Sequence, residues 1–294
     1  MLKDLAQPAI LAPGPAYGQS MFYSISPKAR LKKALERVSS RFPLPSGVFG
    51  IGEPLVRELS RGIPGLRTFP SMSGPGFSIP STQHSLWIFL SGKDRTEVFD
   101  RAQTIHGLMD PDFLLEDSME TFTYAGGRDL SGYEDGTENP SPGHSPGVAL
   151  VPDGKGLAGS SFAGVQRWVH DLDRLHSHSR EEQDNIIGRK KSTNEELPGA
   201  PPSAHVKRSA QESFTPPATM LRRSMPWARD LQKGLEFVAF AHSLTPYESI
   251  LRRMAGLEDG IADALFTFSR PVTGGFYWCP PVHDNRLDFS CLAE

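Results

Sequence analysis

Residues 84–126 read HSLWIFLSGKDRTEVFDRAQTIHGLMDPDFLLEDSMETFTYAG. The hydrophobic period changes twice along this stretch. HSLWIFLSG (84–92) is an apolar, aromatic run of strand length. KDRTEVFDRAQTIHGLM then sets Val98, Phe99, Ala102 and Ile105 at helical spacing, which predicts an amphipathic helix with all four on its inward face. FLLEDSMETFTYAG (113–126) returns to an extended strand. A strand, a helix and a strand in this order bury the helix against one face of a sheet.

Toward the N-terminus, MFYSIS (21–26) reads as a strand. PKARLKKALERVSSRF reads as a helix through Leu31, Ala34, Leu35 and Val38, and SGVFGIG (46–52) as another strand. A Pro/Gly-rich stretch to about residue 83 carries little regular structure beyond EPLVRELS. The order is β-α-β-β-α-β, the ferredoxin-like motif. The second half repeats it. SSFAGVQRWVHDL (160–172) is a strand, REEQDNIIGRKKS (180–192) is partly helical, and TMLRRSM (219–225) pairs with GLEFVAFAHS (234–243). PYESILRRMAG (246–256) is a helix with Ile250, Leu251 and Met254 inward, and ALFTFSRPVTGGFYWCP (264–280) ends as a strand. The predicted fold is α+β, two ferredoxin-like halves with antiparallel sheets, 1–140 and 141–294. The breakers PSPGHSPG and PDGKG mark a boundary near 140–158, and the residues after Val282 read as frayed.

The composition, 38% hydrophobic and 22% charged over 294 residues, is that of a globular protein. A net charge of −3 gives no footprint for nucleic acid or an anionic membrane. No apolar run approaches a membrane span of ~18 residues, and neither an h-region nor a twin arginine opens the chain, so a cytoplasmic protein is expected. The two cysteines, Cys279 and Cys291, have no zinc-like spacing.

SGYEDGTENP (131–140) packs polar groups into a Gly- and Pro-bounded turn. It is a surface loop, or it holds the acid Asp135 at a reaction site. Gly132 and Gly136 suit positive φ, and Glu138 and Asn139 suit local turn-fixing bonds. Among nine histidines, His170, His176 and His178 read as a polar turn rather than a metal site. His84 and His242 read as satisfied strand histidines, and His205 alone as a loop residue. In MLRRSMPW, Arg222 and Ser224 stand two apart and share one face of a strand. An inward arginine needs an anion or carboxylate, and Asp135 is a candidate. An Asp, an Arg and a His in one pocket suit a haem peroxidase, a hydrolase or an ion-pair network. No P-loop is present; GHSPG (143–147) has GxSxG spacing but lies among Pro/Gly breakers rather than at a nucleophile elbow and is not diagnostic, and no GxGxxG follows a strand, GKGLAG (154–159) included.

GYEDGTENP resembles the GxxDG signature of the dye-decolorizing peroxidases. FAGVQRWVHDL, IIGRKKSTNEE, SAHVKRS, LRRSMPW and FSRPVTGGFYW also resemble segments of that family, in its order, and closest to its compact bacterial type. The resemblance implies one haem b per chain, held in the C-terminal half. It implies hydrogen peroxide as oxidant, bulky dyes or phenolics as reductants and a high-valent iron–oxo intermediate. His205 matches the iron's axial ligand, Asp135 the distal acid and Arg222 the distal arginine. Ser224 matches a polar residue over the haem, Arg189 a propionate contact, and Gly136 the motif glycine beside the haem. Asp263 matches the acid behind His205. Arg222 is expected to keep Asp135 at a low pKa. Trp168, Trp227, Tyr133 and Trp278 read as core residues before electron carriers. A homo-oligomer is expected, and the tail HDNRLDFSCLAE shows no encapsulin-docking repeat. A haem-handling protein with little turnover is the alternative, and a cofactor-free interaction protein is a third reading.

Overall fold

The computed structural model describes residues 2–293. Fourteen strands are described: β1 (Tyr17–Ile25), β2 (Gly47–Ile51), β3 (Met72–Gly74), β4 (Phe77–Ile79), β5 (Leu86–Gly92), β6 (Phe113–Phe122), β7 (Ser161–His170), β8 (Leu221–Arg222), β9 (Met225–Arg229), β10 (Gln232–Ala241), β11 (Ser269–Pro271), β12 (Gly275–Cys279), β13 (Val282–His283) and β14 (Arg286–Leu287). The α-helices are α1 (Pro8–Leu11), α2 (Leu31–Arg41), α3 (Glu53–Glu58), α4 (Arg95–Met109), α5 (Ser145–Ala149), α6 (Leu172–Ser177), α7 (Arg180–Ile187), α8 (His205–Arg208), α9 (Thr245–Met254) and α10 (Ser290–Ala293).

The strand–helix–strand stretch folds as β5-α4-β6. Asp94 caps α4 by accepting the Glu97 N–H at 2.9 Å, and Glu97 returns to the Lys93 N–H at 3.1 Å. The buried face of α4 is Val98, Ala102, Ile105, Leu108 and Met109. Phe99 is not part of it. It is 57% exposed, because the apolar stripe continues toward Leu108 and Met109 and leaves position 99 on the flank.

In chain order, the four strands that the first half contributes to the path of the large sheet are β1, β2, β5 and β6. Those of the second are β7, β8, β10 and β12. The spatial order β6-β1-β5-β2-β12-β7-β10-β8 is therefore 4-1-3-2 in each half. Every strand pair is antiparallel. The two halves share one ten-stranded sheet, joined where Trp278 of β12 pairs with Ile51 of β2. Its ends also approach each other, since Arg229 of β9 donates to the Ser118 carbonyl of β6, and across the same face Arg167 of the interior strand β7 meets Asp117 of β6 at 2.5 Å. Trp87, Tyr277 and Phe240 fill the apolar space on this side of the sheet. A buried Gln7 stitches the halves further. Its carboxamide donates to Phe49 O (2.9 Å) and Pro280 O (3.0 Å) and accepts from Phe49 N (2.7 Å).

The opposite face of the second half's sheet packs against α9, whose buried residues include Ile250, Leu251 and Met254. The expected boundary segment lies between β6 and β7 and includes α5. The stretch after Val282 is not frayed. It forms the β13–β14 hairpin and α10, buries Leu287 and Leu292, and its Leu287 carbonyl accepts from Ser39 Oγ at 2.6 Å. No described helix is long and apolar enough to cross a membrane.

Candidate functional site

A cavity of roughly 690 Å³, counting its open mouth, lies between the second half's sheet and α9. Alternation on the pleat selects its walls. Gln166 and Trp168 of β7, with Leu235 and Phe237 of β10, face it, while Arg167 and Glu236 between them face the other way. Asp135, His205 and Arg222 all line this cavity. The expectation that an Asp, a His and an Arg share one pocket is met in space, across segments far apart in the chain.

His205 is the first residue of α8, just after a Pro-Pro turn in which the Ala204 N–H bonds to Pro201 O. Its Nδ1 lies 2.7 Å from Asp263 Oδ2. Asp263 caps a 3-10 turn, with Oδ1 accepting the Leu265 N–H at 2.8 Å, and its side chain is 0% exposed. In the neutral imidazole, a carboxylate at this distance assigns the proton to Nδ1 and leaves Nε2 with its lone pair free. Burial pulls the imidazole's pKa down, but the Asp263 charge and hydrogen bond carry it above the ordinary histidine value.

Asp135 sits in the loop between two positive-φ glycines, Gly132 (+87°) and Gly136 (+74°), and its Oδ1 accepts the Gly136 N–H at 2.7 Å. Burial pushes its carboxyl above the ordinary aspartate value. Arg222 pulls it back, and Asp129 adds to the rise. This corrects the expectation that Arg222 keeps the acid at a low pKa: desolvation outweighs the cation. Among the described residues, the Arg222 guanidinium makes no hydrogen bond or ion pair, and its Nε is buried without a partner. Gln166 Nε2 and Trp168 Nε1 are also buried donors without acceptors on the cavity wall.

Ser224 and Arg189 do not reach this cavity. β8 ends at Arg222, so no continuous strand carries Ser224 onto the same face; its Oγ accepts from the Val238 N–H at 3.4 Å instead. Arg189 is held by Glu138 (2.6 Å), by Glu196 (3.7 Å) and by the Asn194 carbonyl (3.0 Å). Glu138 and Asn139 therefore do more than fix their own turn. Asn139 binds the backbone of Arg222 through both ends of its carboxamide.

Gln211 is a contributor absent from the sequence reading. It lines the cavity, accepts the Met220 N–H at 2.9 Å and donates to Glu138 O at 3.5 Å. Nothing in the periodicity of the chain singles it out. His170 is a satisfied core histidine, bonded to Ser269 Oγ (2.7 Å) and Asp129 (3.1 Å). No cluster of metal-ligating side chains occurs among the described residues.

Residues 126–284 match the family described as Dyp-type peroxidase, C-terminal. The chain is 30% identical over 224 residues to a dye-decolorizing peroxidase of Mycobacterium tuberculosis, covering 74% of this chain and 67% of that protein. It is 30% identical over 256 residues to the dye-decolorizing peroxidase of Rhodococcus erythropolis, covering 81% and 74%. Among solved structures, DyPB from Rhodococcus jostii RHA1 superposes with a TM-score of 0.83 at 27% identity, covering 92% of this chain and 94% of that one. A variant of that protein in complex with heme superposes equally well, with a TM-score of 0.83 at 26% identity and coverage of 92% and 95%.

Proposed function

Because this chain belongs to the dye-decolorizing (DyP-type) peroxidase family, we propose that it reduces hydrogen peroxide at a haem b held by His205 and oxidises bulky organic donors such as dyes and phenolics. One observation carries the reading: Asp135, Arg222 and His205 line one cavity, and Asp263 holds His205 Nδ1 from behind.

The cavity suits a flat, largely apolar macrocycle. Leu235, Phe237, Ile250, Leu251 and Leu265 supply apolar walls. The unpartnered donors of Arg222, Gln166 and Trp168 call for acceptors that the chain itself does not provide. His205 has the donor chemistry of an axial ligand, with Nε2 free and Nδ1–H on a carboxylate that raises its basicity. When bound, haem supplies an iron at which peroxide is reduced to water and through which two electrons are drawn from organic donors.

The chain's own groups manage the proton and the charge. With haem bound, Asp135 would accept a proton from one peroxide oxygen and return it to the other, which would leave as water. Burial raises the pKa of this carboxyl, which makes it the stronger base in the first half of that exchange and the weaker acid in the second. Arg222 donates hydrogen bonds to the peroxide and offsets the negative charge that builds on the departing oxygen. Arg189 is the propionate contact of this reading only if it exchanges Glu138 for the haem carboxylate.

A carrier of haem has no use for a proton acceptor and an unpaired cation in the same cavity, and this favours peroxidase turnover over haem handling. The test is the visible spectrum of the haem-loaded protein before and after one equivalent of hydrogen peroxide. A Soret band that shifts and then returns on adding a phenol supports the proposal. A Soret band indifferent to peroxide overturns it.

A further inference from the structure

Arg222 ends a strand of only two residues. In an antiparallel pair, the backbone groups of successive residues point to opposite edges. β8 pairs with β10 through Leu221↔Phe240 and Arg222↔Ala239, and Arg223 donates its N–H to Val238 O at 2.8 Å. The N–H and C=O of Arg222 thus face away from β10, onto an open edge where unpaired groups are costly.

Asn139 closes that edge. Its Oδ1 accepts the Arg222 N–H at 2.7 Å, and its Nδ2 donates to the Arg222 carbonyl at 3.2 Å. The carboxamide makes the two bonds that a neighbouring strand's peptide would make. The carbonyl has a further donor in Arg223 Nη1 (3.0 Å), so the N–H is the group that depends most on Asn139.

The other end of this clamp is the loop of Asp135. The Asn139 N–H bonds to Gly136 O at 3.0 Å, and its side chain folds over Gly136 so closely that a Cβ there would lie 3.0 Å from Nδ2. A span of five residues, 135–139, therefore has the acid at its start and, at its end, the side chain that binds the backbone of the cation. With no bond to its guanidinium, Arg222 takes its placement from its backbone and from cavity packing.

We propose that Asn139 is a positioning residue that sets Arg222 against Asp135 from across the two halves of the chain. This rests on the reading of Asp135 and Arg222 as the peroxide-handling pair. A displacement near 1 Å in a reacting constellation costs on the order of 10² in rate, and loss of the clamp acts through such a displacement rather than through contact with peroxide.

The experiment compares haem-loaded Asn139→Leu, Asn139→Asp, Arg222→Leu and the double variant Asn139→Leu with Arg222→Leu. Asn139→Leu is expected to lower kcat/KM for peroxide by about 10- to 100-fold, leaving the Soret band and kcat/KM for a phenol unchanged. Asn139→Asp keeps an acceptor for the Arg222 N–H and recovers part of the loss. The double variant falls no further than Arg222→Leu, because both changes remove one device. Amide hydrogen exchange of residues 219–225 speeds up in Asn139→Leu while that of β7 does not change. A peroxide constant unaffected by Asn139→Leu, additive losses in the double variant, or equal losses for peroxide and phenol overturn the proposal. If Arg222→Leu itself leaves the peroxide constant intact, the functional reading falls and this proposal falls with it; if only Asn139→Leu is silent, this proposal alone is overturned.

Discussion

Gly234 of β10 lies so close to Trp168 of β7 that a Cβ on it would meet the Trp168 carbonyl oxygen at 1.9 Å. That same carbonyl accepts the Trp227 indole N–H at 3.1 Å, so it is fixed from a second side. The indole of Trp168 forms part of the cavity wall. Gly234→Ala has to push apart a strand pair to fit its methyl. Overpacking of this kind costs about 1–3 kcal/mol. The expected result is a lower denaturation midpoint with an unchanged m-value, and a weaker haem titration because the Trp168 wall has moved.

Asp263→Asn removes the carboxylate from His205 Nδ1 while keeping a hydrogen-bonding side chain of the same size. Partners of this kind behind a metal-ligating histidine are worth about 10- to 100-fold in affinity. Haem titration of the apo-protein should show a loss in that range. A variant that binds haem as tightly as the parent would remove Asp263 from the account.

Arg222→Leu leaves His205 and its carboxylate intact, so the Soret band of the loaded protein should be retained. The rate of reaction with peroxide should fall by about 10²–10³, the usual cost of one preorganised donor. Stopped-flow mixing with peroxide, without reductant, reads this step directly.

Asp135→Asn tests the electrostatics. The native acid has a folded pKa above its ordinary value because it is desolvated. Its contribution to stability is therefore fully present below the unfolded pKa of about 3.9 and is lost as pH rises through the folded value. The asparagine carries no such charge. It should raise the thermal midpoint at neutral pH, with the gain shrinking toward zero as pH falls below about 4. A gain that is constant with pH would contradict the raised pKa.

Much of the architecture was legible because periodicity reports burial. The α4 helix and the strands on either side of it follow from spacing, as do the inward residues of α9. Phe99 was misplaced since a short stripe can be drawn through it as readily as through Leu108. Within the site, Asp135, His205 and Arg222 came from a motif resemblance, and their meeting in one cavity is a tertiary fact that spacing does not contain. Ser224 does not line the cavity for a local reason: strand alternation carries it onto the face of Arg222 only if the strand continues, and β8 stops at Arg222. Arg189 has found two carboxylates, one of them in the motif loop itself. The pKa of Asp135 was misjudged because a sequence names charged neighbours but not how much solvent is missing. Asn139 was read as a local turn residue because its partner lies 83 positions away.

The seam between the halves also bears on how the chain is made. Ribosomal synthesis delivers β2, with all five of its residues destined for burial, long before β12, the strand that covers its edge. Gln7 waits longer still, since one of its acceptors is the carbonyl of Pro280. A nascent first half therefore emerges with an apolar, hydrogen-bonding border that nothing yet matches, the kind of surface that recruits chaperones or wrong neighbours. Truncated translation products ending before Gly275 should be the aggregation-prone species, and pausing of the ribosome inside the second half should be more harmful to yield than pausing at its end.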